Sequence, residues 1–278
     1  MTLAGLGALL GLALAAAPES KPESAGIRLG DLPWTEAEAA LAPERVVVLP
    51  LGAGTKEHGP HLPLKNDQVL ADYFAGRLVA VRPVALLPTL TYGFYPAFLE
   101  YPGSVSLSFE TQRNLVAEIC RSVARHGPRR FYVLNTGIST VRPLVETAAL
   151  LRAEGILLRF TDLRTAGKRA EDRVRRQRAG SHADEVETSM ILYIAPSLVR
   201  MDRAVKDGAE VRPGPLTRDP KNAAGHYSPS GVFGDATLAT PEKGRVIVEG
   251  VVADILEDVD ALAREALPPG APRSPLVR

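Results

Sequence analysis

The stretch "RVVVLPLGAGTKEHGPHLPLKND", residues 45–67, decides the fold. Residues 45–52 form a continuous apolar, β-branched run, the pattern of a strand buried on both faces. From Asp67, "DQVLADYFAGRLVAVRP" repeats apolar residues at helical spacing, which predicts a helix with Asp67 at or near its N-terminus. Between strand and helix lies a loop that crowds His58 and His61 among glycines and prolines. The alternation then repeats. Strands are predicted over 85–90, 129–135 and 156–163, and helices over 109–127, 141–155, 185–196 and 241–265. Such alternation predicts an α/β fold, a mainly parallel sheet covered on both sides. In such sheets ligands bind at the carboxyl ends of the strands. The loops after 45–52, 85–90 and 129–135 should therefore converge with the approach to the 185–196 helix.

The 278 residues suffice for one large domain, expected over 34–278, with a helix after Trp34 capped by Thr35. Apolar content of 45%, charged content of 23% and a net charge of +1 are those of an ordinary globular protein. Nothing in this balance calls for nucleic acid, and no helix-turn-helix or zinc-finger spacing occurs. No P-loop or G-x-G-x-x-G follows a strand, so nucleotide cofactors have no support. The lone Cys120 excludes an internal disulfide and a thiolate cluster. Residues 1–17 have signal-peptide length and end in small residues, but carry no Lys or Arg ahead of the apolar run. The expectation is export to the periplasm or beyond, without a stable membrane span; a cytoplasmic chain or an uncleaved surface anchor are the alternatives. Residues 18–33 are expected to be a linker, and "KRAEDRVRRQR", 168–178, a solvated helix face or mobile loop.

His58, His61, Asp67 and "SHADEVETS", 181–189, concentrate the metal-capable side chains. Imidazole with carboxylate suits Zn²⁺, Mn²⁺ or Fe²⁺. An H-x-x-H in a loop is more often turn capping and surface hydrogen bonding than a metal site, so the loop by itself is weak evidence for metal.

Taken together the motifs say more. "PLGAGTKEHGPHLPLKND" resembles the creatininase (creatinine amidohydrolase) family signature Pro-x-Gly-Ser-x-Glu-x-His-Gly-Pro-His-Leu-Pro-x-x-x-Asp. "YGFYPAFLEYPGSVSLS", "HADEVETS" and "SGVFGDATLATPEKG" resemble its later blocks, in the family's order, across about residues 45–265. The resemblance implies a three-layer α/β/α fold and a centre of one or two divalent metal ions per chain. It also implies hydrolysis of a small, non-peptidic or cyclic amide in a homo-oligomer, commonly a hexamer. By position it makes His58 a metal ligand and Asp67 a carboxylate bridging two ions. Glu187 is expected on metal, and Glu185 or His182 in proton transfer. His61, Tyr95 and Asn135 are expected to line the substrate site. Two departures stand out. Lys56 sits where the family has a glutamate, so that Lys56 either replaces a cation electrostatically or points to solvent, while the adjacent Glu57 is a candidate substitute ligand. Gly137, in "NTGIST", stands where the family's Asn-Gly-His-Gly-Gly-Asn turn has a metal-binding histidine. The expectation is an amidohydrolase with a reduced, one-metal site; the alternative is an inactive relative that binds a small molecule or partner.

Overall fold

The apolar run of 45–52 forms strand β2, Val46–Leu51, fully buried along its length. The structure is a computed structural model, described for residues 25–208 and 214–270. The expected signal peptide, 1–17, lies outside the described residues. β2 is the middle of a five-stranded sheet with β1 (Ile27–Arg28), β3 (Ala85–Leu86), β4 (Arg130–Asn135) and β5 (Leu157–Phe160), in the order β1-β3-β2-β4-β5. Every pairing is parallel, and β2 runs in register with β4 from Val46↔Arg130 to Leu51↔Asn135.

Because side chains alternate across a strand, the sheet builds two cores. Val46 and Val48, with Tyr132 and Leu134, pack under helices α2 (Asn66–Val81), α6 (Glu185–Ile194) and α7 (Pro241–Arg264). Val47, Leu49 and Leu51, with Phe131 and Val133, pack under α3 (Phe109–Ala124) and α4 (Val141–Arg152). The three-layer α/β/α arrangement expected from the sequence is therefore the one observed. Helices α1 (Trp34–Ala40) and α5 (Lys168–Val174) complete the set, the latter inside the basic 168–178 segment. None of the described helices is long and apolar enough to cross a membrane.

Three local expectations change. Part of the expected linker is docked, since Ile27–Arg28 pairs with β3 and the Gly26 N–H donates to the Val79 carbonyl at 2.8 Å. The strand expected over 85–90 pairs regularly only at Ala85–Leu86; beyond Pro88, which has no N–H to give, only Leu90 returns, as a bridge to Leu51. Helix α1 starts one residue before Thr35, because Pro33 sets the entering φ at −67° and serves as N-cap without a side-chain bond.

Packing of α7 on α6 depends on Gly244, where a Cβ would overlap the carbonyl of Ser189. Gly244→Ala is expected to destabilise the fold by about 1–3 kcal/mol, the range for overpacking, as read from a urea titration.

The topology also locates the cleft. After β2 the chain turns into α2 on one face; after β4 it turns into α4 on the other. The carboxyl ends of these adjacent strands are thus a switch point, where an open parallel sheet leaves a crevice.

Candidate active site

At the end of β2, Gly52 lets the strand meet the first turn of α2, where any Cβ would collide with the Asp67 carbonyl. The β4 end closes the same corner, with the Thr136 hydroxyl donating to that carbonyl at 2.8 Å. Asp67, the second residue of α2, is completely buried. Its Oδ2 lies 2.7 Å from Lys56 Nζ, and its Oδ1 lies 2.7 Å from His58 Nε2. Burial alone would raise the Asp67 pKa, but the Lys56 ammonium and then His58 hold the carboxyl well below the usual carboxylate range. Lys56 is only 4% exposed, so its solvent-facing alternative does not occur. Its ammonium sits 4.7 Å from the centre of the Phe98 ring and 5.5 Å from that of Tyr95.

His58 carries a chemical constraint. Its Nδ1 faces the Lys56 carbonyl at 2.9 Å and its Nε2 faces the Asp67 carboxylate, both of them acceptors. A neutral imidazole has one N–H and one lone pair. Either His58 carries both protons, or the Nε2 lone pair and Asp67 Oδ1 face a cation together. Donor atoms of His58, His182 and Glu187 all lie within 4.8 Å of one another, the spacing of a candidate ion site. The donor set of these three residues, two imidazoles and a carboxylate, fits a divalent ion.

His182 enters from the loop before α6, held by a bridge to Phe233. Its Nε2 donates to the Glu57 carbonyl at 2.9 Å and lies 3.0 Å from Glu57 Oε2, while its Nδ1 lies 3.6 Å from Glu187 Oε2. Burial opposes charge on His182, but the Glu57 and Glu187 carboxylates outweigh it and raise its pKa. Burial likewise pushes Glu57 up, and His182 with the Gly59 N–H brings it below its ordinary value. Glu57, expected as a substitute ligand, is thus turned to His182, away from Lys56. Gly231, at φ +83°, is what lets the 228–233 loop lie against the Glu57 carboxylate, since a Cβ there would overlap it.

Glu187 reaches the centre from the first turn of α6, where its Oε2 accepts the Ala183 N–H at 2.6 Å. Asp184 caps the helix, accepting from Val186 N and Glu187 N at 2.9 and 3.0 Å, and burial raises its pKa to about 6. Glu185, expected in proton transfer, is placed elsewhere. Its carboxylate takes the N–H groups of Arg176 and Gln177 and the Lys243 ammonium at 2.5 Å, which fastens the 175–177 turn to α7.

The three residues expected to line the substrate site divide as well. His61 is buried beside the centre, with Nε2 2.8 Å from Thr188 Oγ1 and Nδ1 without a partner; burial lowers its pKa to about 4, so it is neutral at pH 7. Tyr95 is buried against Lys56 and Gly137, with its hydroxyl unpartnered. Asn135 is spent on structure, its amide bonding Gly137 O at 2.7 Å, Thr161 O at 3.1 Å and the Thr140 hydroxyl at 2.6 Å. Sequence reasoning gave Asp184 no separate role, although "DEVE" has the D-x-x-E spacing of a capping box, and missed Thr188, which only the fold brings to the centre.

A cavity of about 230 Å³ borders Glu187 and Asp184, with Leu163, Val186, Met190 and Val251 as an apolar wall. That volume is below the roughly 300–1,000 Å³ of sites for drug-sized ligands, so it suits a small molecule or one side chain.

The buried histidine–carboxylate centre lies at the switch point of an α/β/α sheet, a donor set able to hold an ion or to move a proton. The chain belongs to the creatininase family of amidohydrolases: the family profile described as "Creatininase: Creatinine amidohydrolase" matches residues 30–259. It is 32% identical over 222 residues to a mycofactocin precursor peptide peptidase of Mycobacterium ulcerans (strain Agy99), covering 77% of this chain and 84% of that one. It is 29% identical over 273 residues to a creatinine amidohydrolase of Pseudomonas putida, covering 88% and 99%. Among solved structures, a creatininase mutant described as "Zn-Zn type" superposes with a TM-score of 0.72 at 27% identity, over 87% of this chain and 100% of that one.

Proposed function

We propose that this chain hydrolyses the C–N bond of a small amide or of a short peptide segment in the crevice between β2 and β4. The observation that supports this best is the His182–Glu57 pair. Nε2 is committed to Glu57, which leaves Nδ1 facing Glu187 as the atom free to move a proton. In the reaction water adds to the carbonyl carbon, His182 accepts its proton, and the same proton passes to the departing nitrogen as the C–N bond breaks. The products are a carboxylate and an amine. Glu57 fixes the ring and favours its charged form. His58 and Glu187, with Asp67 Oδ1 against His58, are the groups that would hold a divalent ion, Zn²⁺, Mn²⁺ or Fe²⁺, the third clustered donor, His182, being kept in this reading for the proton. Such an ion supplies Lewis-acid polarisation and a more acidic water.

The cavity volume and the family support a small amide, and the peptidase relative supports a peptide; a panel of both separates them. Purified protein, with and without added Zn²⁺ or Mn²⁺, is incubated with cyclic ureides, simple amides and short peptides, and products are followed by mass spectrometry. Appearance of a paired carboxylate and amine is the expected result. A second reading, a non-catalytic binder, is favoured by one observation: Asp67 is already satisfied by Lys56 and His58. Binding without cleavage by a folded protein would establish it instead.

A further inference from the structure

Lys56 is the one feature of the centre that the hydrolytic reading leaves unused. We propose that its ammonium is a resident cation: it occupies the Oδ2 side of Asp67, so the centre takes one divalent ion per chain. Four observations converge on this. Lys56 Nζ lies 2.7 Å from Asp67 Oδ2 while Asp67 Oδ1 faces His58, so the carboxylate is divided between an internal cation and the candidate ion side. The space around the ammonium is lined by the rings of Phe98 and Tyr95, which favour a cation but donate no lone pair of ligand strength. Behind the Tyr95 ring, Gly137 has no side chain to offer, and that ring with Thr140 fills the room next to it. Among the described residues, one group of three or more His, Cys, Asp or Glu donors clusters at ligand range, and it lies on the His58 side.

The ammonium also explains why a fully buried carboxylate is tolerated before any ion arrives. A buried charge is costly unless paired, and this one is paired from within the chain. The inference rests on the cation reading of the site, not on amide hydrolysis, so ion stoichiometry and turnover fail separately.

The test is zinc bound per folded chain, measured by plasma mass spectrometry after equilibration with excess zinc and gel filtration. Wild type is expected to hold one ion. Lys56→Glu places a second carboxylate beside Asp67 and is expected to hold two. A wild type that takes two ions, or none, overturns the proposal, as does a folded Lys56→Glu that takes no more than wild type. Should Lys56→Glu fail to fold, Lys56→Met decides. It strips Asp67 of its ammonium partner, leaving His58 alone beside it, and is expected to melt roughly 10 °C lower in chelator and to regain most of this in excess zinc. Unchanged melting in chelator overturns the proposal.

Discussion

His182→Asn is expected to lower amide hydrolysis by about 10²–10⁴-fold, the share usually carried by one positioned acid–base group. Asparagine can still donate toward Glu57, but it has no atom that takes up and returns a proton at neutral pH. The effect should fall on kcat, because the cavity beside Glu187 and the His61 imidazole are left in place. His182 is also one of the three clustered donors, so the zinc content of the same sample is informative. Retained zinc with lost turnover assigns His182 to proton transfer; loss of both makes it a ligand. Turnover within threefold of wild type would remove His182 from the reaction.

The second large effect is on stability. Asp67→Ala leaves the Lys56 ammonium buried beside two aromatic rings with no counter-charge. Breaking a buried pair from one side costs about 3–5 kcal/mol. At roughly 2–4 °C per kcal/mol for a domain of this size, the melting temperature should fall by roughly 6–20 °C. The double variant Lys56→Met/Asp67→Ala removes the stranded charge and is expected to recover a large part of that loss. The coupling energy of the pair is the loss of the double variant minus the summed losses of the two single variants. A fall of less than 2 °C for Asp67→Ala would mean that water reaches the ammonium.

Both expectations concern residues whose fate was only half legible in the chain. The β2 run and the helical spacing after Asp67 were readable because burial on two faces and a 3.6-residue period leave direct marks on the residue pattern. They located the loop, the helix start and the crevice. What the pattern could not carry was where neighbouring side chains point. Lys56 and Glu57 are adjacent, yet one pairs with Asp67 and the other with His182, a partner 125 residues away. A partner at that distance is chosen by the fold and leaves no local signal. The Glu185 and Glu187 assignment was more accessible. Two residues apart on a helix, they cannot share a face, so only one could join His182. The short pairings of the 206–235 region left no trace either, because two-residue strands have no period to detect.

All five strands are complete by Phe160, whereas His182, α6 and α7 come afterwards. His58 and Asp67 therefore belong to the part of the chain that makes the sheet, and His182 and Glu187 to the part that roofs one side of it. A molecule held between them acts as a rivet through the whole body, and its occupancy is thermodynamically linked to unfolding. At one hundred times its dissociation constant it would add about 2.7 kcal/mol to the folded state. A melting-curve survey of amides and metal ions can thus reveal what this crevice accepts before any assay for turnover exists.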